Sequence, residues 1–324
     1  MNVNTPHTRR DGPQDERLFI SLDTLLESRH QCQRMPLFRG PLQASRQLGR
    51  QYSRLRGRGV DFDQVRAYQP GDDIRSIDWR VTARTGKVHT KVFNEERERP
   101  VFIVCEQSDR LFLGSQLCFK SVLAAQACSL IAWTALAHND RVGGVVFGKT
   151  CHEVRPQRNR QSLLRLFKLL IDANHSLAPP ADSTGETPRE LLNQALRHTR
   201  EVVRPGSILY IICDHSAVDR VNQSLLAPLA LHNDLVLLPL YDSLDAELPS
   251  ADQLDFVQNG DRVSINSRDA SVRGAYAAQF VAQQLAWENL ARRLGCSLFS
   301  LHTGSNAQTQ IGTMFSAQKR RVRR

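Results

Sequence analysis

A chain of 324 residues with 41% apolar residues is long enough to bury one large α/β core with an extra lobe, or two smaller domains. Its formal charge of +10 is unevenly placed: eight arginines and no acid lie between Glu27 and Asp61, and Lys319-Arg320-Arg321-Val322-Arg323-Arg324 adds five cations, leaving a nearly neutral body. Seven scattered cysteines without a CxxC pair exclude a disulfide framework and a zinc ribbon, and read as reduced thiols of a cytoplasmic protein.

The start of the chain, MNVNTPHTRRDG, lacks the apolar core of a secretory leader, and residues 1–16 are expected to be disordered. Leu18, Leu22, Leu25 and Leu26 then recur at helical spacing. A basic segment with Gly and Pro breaks follows, and it leads into the densest signal of the chain, GRGVDFDQVRAYQPGDDIRSIDWRVTAR from Gly57 to Arg84. Pro70-Gly71 is a turn dipeptide, because proline presets one central residue and glycine supplies the positive φ of the next. Asp72 or Asp73 can cap a short helical turn carrying Ile74 and Ile77. The expected arrangement buries Ile74, Ile77 and Trp79 and pairs Arg66, Arg75, Arg80 and Arg84 with the acids. Val88 to Asn94 alternates as an exposed strand does. Residues 17–99 thus read as an N-terminal lobe, 100–303 as the main domain and 304–324 as a basic C-terminal tail.

In the main domain, Val101 to Cys105 is a continuous apolar run, the pattern of a strand covered on both faces. Helix Leu117 to His138 follows; its longest apolar stretch, Val122 to Ala137, is interrupted by Gln126 and Ser129 and is too short for a membrane span. Strand Arg141 to Phe147 comes next, with Cys151 to Val154 as a hairpin partner. Helices Leu163 to Ile171 and Glu190 to Arg200 precede a second buried strand, Ser207 to Cys213. Helix Val218 to His232, strand Leu235 to Tyr241, a hairpin turn at Asn259-Gly260, helix Val272 to Leu294 and strand Ser297 to Leu301 complete the series. Such alternation gives an α/β fold with a doubly wound, mostly parallel sheet.

The residues Gly59, Asp61, Phe62, Arg66, Tyr68, Pro70-Gly71-Asp72-Asp73, Arg75, Ile77-Asp78-Trp79, Ala83-Arg84, Lys91, Phe93 and Glu96 resemble the signature of the family known as domain of unknown function 58. The resemblance extends more loosely from about Leu22 to Thr303. It implies a fold similar to the von Willebrand factor A domain and association with a MoxR-type AAA+ ATPase, with other von Willebrand factor A-type proteins as further partners. It implies no enzyme activity. On this reading the chain is a non-enzymatic adaptor whose partner-binding residues are Arg66, Asp72, Asp73, Arg75, Asp78, Arg80 and Arg84.

Ligands of open α/β sheets sit beyond the carboxyl ends of the strands, here Glu106-Gln107-Ser108-Asp109-Arg110 and Asp214-His215-Ser216. In von Willebrand factor A domains the first loop is Asp-x-Ser-x-Ser and binds Mg²⁺ together with a threonine and a second aspartate. Here Glu106 replaces the aspartate and Arg110 the last serine, while Ser108 and Asp214 are retained and Thr187 is the threonine best placed by position. The expectation is no cofactor, with Mg²⁺ at most weakly held by Glu106, Ser108 and Asp214, and Arg110 standing in for the cation by pairing with Glu106 or Asp214. Two other function classes compete with the adaptor reading. One is a metal-dependent hydrolase using Asp72, Asp73 and Asp78; the other is an arginine-rich nucleic-acid binder, for which weak, salt-sensitive binding without sequence preference is expected. Arg204-Pro205-Gly206-Ser207 lacks the Gly-Lys-Ser/Thr of a phosphate loop, and His215-Ser216 beside Asp214 are adjacent letters rather than a hydrolytic triad.

Overall fold

The structure is a computed structural model that describes residues 15–32, 61–94, 99–177, 188–251, 253–258 and 261–322. The chain divides into two compact units, one of residues 48–98 and one formed by residues 1–47 together with 99–324.

In the larger unit, strands β3 (Val101–Glu106), β6 (Ile208–Asp214) and β7 (Asp234–Tyr241) are buried along their whole length apart from Tyr241, as their unbroken apolar runs require. They form the centre of a seven-stranded sheet ordered β10-β7-β6-β3-β4-β5, in which β10 (Ser297–Leu298) and β11 (Leu301–His302) both pair with β7. Every pairing is parallel except that of β4 (Val142–Phe147) with β5 (Cys151–Gln157). Alternate strand residues enter two cores. Val101, Ile103, Cys105, Ile208, Tyr210 and Ile212 face helices α4 (Lys120–Ala137) and α5 (Arg160–His175). Phe102, Val104, Leu209, Ile211 and Cys213 face α6 (Pro188–Val202), α7 (Gln223–His232) and α9 (Ala270–Leu294). The sheet is therefore doubly wound and mostly parallel. Helix α4 is long and apolar enough to cross a membrane by length and composition, a property the interrupted stretch Val122 to Ala137 concealed; most of it is buried against the sheet and its neighbouring helices.

Two boundaries differ from expectation. The first helices, α1 (Asp15–Leu18) and α2 (Leu22–Cys32), belong to the larger unit: Trp133 Nε1 donates to the Leu25 carbonyl at 2.8 Å and Ser129 to Ser28 at 2.9 Å. The expected basic tail is a helix, α10 (Ala307–Val322), because Ile311, Met314 and Phe315 lie at i, i+3 and i+4 and bury themselves in the core that holds α4. Strands β8 (Leu254–Gln258) and β9 (Asp261–Ile265) pair antiparallel with Gln258 opposite Asp261, as a two-residue hairpin loop requires. Asn259-Gly260 themselves lie outside the described residues, as do residues 1–14 and 33–60, Glu96, Thr187 and Arg323-Arg324.

The smaller unit pairs β1 (Asp61–Ala67), which the sequence pattern did not reveal, antiparallel with β2 (His89–Asn94). Between them lie a 3₁₀ turn (Ile74–Ser76) and helix α3 (Trp79–Thr85). Gly71 adopts φ +99°, the conformation the Pro70-Gly71 turn demands. The expected burial of the apolar residues is not found: Ile74 is 67% and Trp79 66% exposed, and Ile77, bridged to Thr90, is half-buried. Among the described residues, two strands, a 3₁₀ turn and a seven-residue helix supply no second layer within this unit to cover them.

Candidate functional site

Strands β3 and β6 end side by side, so Glu106 and Asp214 meet at the carboxyl edge of the sheet. Glu106 is 1% exposed; its Oε1 accepts from the Ser108 hydroxyl at 2.6 Å and its Oε2 from the Asp214 amide at 2.8 Å. Burial, reinforced by the Asp214 charge, pushes the Glu106 carboxyl above its ordinary value. Asp214 Oδ1 accepts from the Ser216 amide at 3.0 Å and from the Ser216 hydroxyl. Its Oδ2 is 2.7 Å from Nζ of Lys120, the first residue of α4.

Lys120 is 2% exposed and also reaches Asp245 Oδ2 at 2.8 Å. Asp245 is held by the short helix α8 (Ser243–Ala246), where Asp242 and Asp245 form a capping box. Asp242 in turn accepts from the Ser115 amide and hydroxyl at 2.8 and 2.6 Å and from the Thr303 hydroxyl. Burial alone would neutralise both Asp214 and Lys120. Their mutual attraction outweighs it, so Asp214 is held below its ordinary value and Lys120 above its own. Asp245 moves up instead, since burial and the nearby Asp214 charge exceed its share of the lysine.

The cation in the site is therefore Lys120, and the expected pairing of Arg110 with Glu106 or Asp214 is not formed. Arg110 begins outside the strand, in a 3₁₀ turn (Asp109–Leu111), and its buried Nε has no hydrogen-bond partner. These residues do not fit a resident Mg²⁺. Both oxygens of Glu106 and of Asp214 already accept hydrogen bonds, and an ammonium sits between Asp214 and Asp245 where a divalent ion would need several free oxygens. Among the described residues no cluster of three or more His, Cys, Asp or Glu is arranged to hold a metal ion.

Glutamine at position 106 can accept from the Asp214 amide and donate to Ser108 while carrying no charge. Glu106→Gln is therefore expected to raise the melting temperature at neutral pH by roughly 2–6 °C. Because the folded pKa is raised, ionisation of Glu106 opposes folding increasingly as pH climbs from 4.5 through the folded value. The gain should be full above that value and vanish below about pH 4.5 in thermal scans across pH.

In the smaller unit, Asp72 is buried rather than part of an exposed face: it accepts from Arg66 at 2.9 Å and from the Gln69 amide at 3.0 Å. Asp73 caps the 3₁₀ turn through the Arg75 amide, and Asp78 caps α3 through the amides of Arg80 and Val81, with Lys91 3.8 Å away. Each carboxylate has its own local backbone task, and the three form no metal cluster of the kind a hydrolase requires. Arg75, Arg80, Arg84 and Lys87 are exposed, together with Ile74, Trp79 and Val88.

Sequence reasoning did not find Lys120, Asp242 or Asp245. A lysine opening an apolar helix and an Asp-x-x-Asp repeat just after β7 are the only signals they leave in the chain.

These features define an α/β protein whose strand-end site is closed by an internal lysine, joined in the chain to a small, basic, apolar-surfaced lobe. The chain belongs to the family described as protein of unknown function DUF58, whose model matches residues 64–286. An uncharacterized protein of Mycobacterium tuberculosis is 28% identical over 271 residues, covering 82% of this chain and 81% of that protein. The uncharacterized protein YeaD of Bacillus subtilis is 26% identical over 144 residues, covering 44% of this chain and 34% of YeaD. Similar solved structures include the conserved hypothetical protein BatB of Bacteroides thetaiotaomicron, with a TM-score of 0.40, 14% identity and coverage of 68% of this chain and 99% of BatB. Another is the SpRpn10 VWA domain, with a TM-score of 0.30, 9% identity and coverage of 66% and 94%.

Proposed function

We propose that the chain is a non-enzymatic, cytoplasmic adaptor that works with a MoxR-type AAA+ ATPase in the assembly or activation of other protein complexes, and that it docks through the smaller unit. The observation that carries this reading is the exposure of Ile74 and Trp79 beside the exposed Arg75, Arg80 and Arg84. Asp72 is internal, and Asp73 and Asp78 are tied to backbone amides, so the apolar side chains and the guanidinium groups dominate what this stretch presents to solvent. Tryptophan and arginine are the residues that most often dominate binding at protein interfaces. Arginines around an apolar centre suit a partner with an apolar pocket rimmed by carboxylates.

Co-purification of the full chain with a co-expressed MoxR-type ATPase tests it. Trp79→Ala is expected to weaken capture by about tenfold or more, the loss typical of a central aromatic anchor. Arg80→Glu with Arg84→Glu should weaken it further, and all variants should keep the wild-type melting temperature within a few degrees because these side chains are exposed. Full capture by the Trp79 and arginine variants would sink the proposal.

A further inference from the structure

The pocket beyond the carboxyl ends of β3 and β6 has a volume of roughly 280 Å³, and Arg110, Lys120, His215, Ser216, Tyr276 and Phe280 line it. Its carboxylates are already engaged. Asp214 is held by Lys120 and Ser216, and Asp245 by Lys120 and the Asp242 amide, while Glu106 behind them is held by Ser108 and the Asp214 amide. Its donors are not. Arg110 makes no hydrogen bond or ion pair to any described residue, and its Nε is buried. Arg220, which adjoins the pocket through Ser216 rather than lining it, also has a buried, unpartnered Nε and makes one long contact of 3.4 Å to the Ser216 hydroxyl. His215 is 3% exposed and neither ring nitrogen has a hydrogen-bond partner. The imidazole is nevertheless fixed: it stacks on Phe280 at 4.4 Å, and its own carbonyl accepts from Trp287 Nε1 at 2.7 Å.

A buried donor without a partner gives up its hydration for nothing, and loses more when it is charged, so Arg110 and His215 in one pocket point to a ligand that supplies acceptors. We propose that this pocket binds a carboxylate, received by the Arg110 guanidinium with His215 and Ser216 as flanking groups. The site is separate from the smaller unit and does not depend on the ATPase reading. Arg110 is held below its ordinary pKa by burial and then by the Arg220 charge, with Asp214 and Glu106 opposing, so two guanidinium groups repel one another with no acid bonded to either. Arginine is the side chain best matched to a carboxylate, through paired N–H groups in one plane. A phosphate dianion fits less well, because Asp214 and Asp245 line the same pocket and repel a second negative charge. Phe280 and Tyr276 offer ring surface to the short apolar stem of an acid. The same chemistry can arrive as a small free carboxylic acid or as an aspartate or glutamate side chain of another polypeptide.

Calorimetric titration of the full chain with sodium acetate, with a blocked glycine-rich peptide containing one glutamate, with its glutamine twin and with inorganic phosphate distinguishes these. Saturable binding of acetate or of the glutamate peptide, with the glutamine twin silent, is expected. Acetate together with the peptide, or acetate alone, identifies a free acid as sufficient; the peptide alone identifies a side chain of a partner. Arg110→Gln is expected to weaken binding about tenfold or more. The ligand-free variant should melt at or above the wild-type temperature, since a half-buried guanidinium with an unpartnered Nε is removed. Phosphate bound in preference to both carboxylates, no saturation by either at millimolar concentration, or an Arg110→Gln variant that is destabilised or unfolded would overturn the proposal. The last result would mean that the guanidinium is a structural partner of Asp214 and Glu106.

Discussion

Replacing Lys120 by methionine is expected to destabilise the larger unit by about 3–5 kcal/mol and to lower its melting temperature by roughly 10 °C. The stem of the side chain is conserved in length, so packing changes little. What is lost is the ammonium between Asp214 and Asp245, which leaves a buried and a half-buried carboxylate facing each other without a cation. Denaturant unfolding at neutral pH measures the effect. A double variant, Lys120→Met with Asp214→Asn, is expected to recover part of it, because the uncompensated charge goes too. The pH dependence follows from the directions of the two shifts. Asp214 is lowered, so its contribution is present above the ordinary aspartate value of 3.8 and is lost as pH falls through the folded value below it. Lys120 is raised, so its contribution is complete below 10.5 and is lost as pH rises through the higher folded value. The difference between wild type and variant should therefore be flat across the neutral range and narrow at both extremes. A variant as stable as wild type at pH 7 would show that the ion pair does no more than offset its own desolvation.

Gly148→Ala is expected to be comparably damaging, at about 3 kcal/mol or more. Gly148 follows the last residue of β4, and a Cβ placed on it would stand 1.8 Å from the Gln107 carbonyl oxygen and 2.7 Å from its carbon. Backbone, not a flexible side chain, is in the way. Gln107 cannot retreat easily: its amide donates to Phe147 at 2.6 Å, its Nε2 donates to the Ser121 carbonyl at 2.9 Å, and its Oε1 accepts from Asn174 at 3.2 Å. Because Gln107 lies between Glu106 and Ser108, any shift that admits the methyl group also disturbs the Glu106 hydrogen bonds. The loss should appear in thermal melting. A wild-type melting temperature in Gly148→Ala would contradict the close backbone approach.

The sheet was legible in the sequence because its strands are short, unbroken apolar runs such as ILYIIC and LVLLPLY, which only a strand covered on both faces explains. Residue exposure in the small unit was not legible. Ile74 and Trp79 read as core residues from their type alone, and nothing local announces that the described strands and helix around them leave them exposed. The strand-end carboxylates were found because the strands place them there. Lys120 was missed because its partners, Asp214 and Asp245, are 94 and 125 residues away along the chain, and pairing over such distances leaves no periodic trace. The C-terminal helix was missed for a different reason: its apolar triplet Ile311, Met314 and Phe315 is at helical spacing but stands beside a run of cations that drew the reading toward a solvated tail.

Helix α4 is packed by α2, which precedes it in the chain, and by α10, which follows it only after the whole sheet. Its apolar surface therefore cannot be fully covered until Ile311, Met314 and Phe315 have been synthesised. Until they arrive, an eighteen-residue helix with no charge after Lys120 carries sticky surface of the kind that chaperones hold. Arrival of α10, not completion of the sheet, is the event that covers that face of α4.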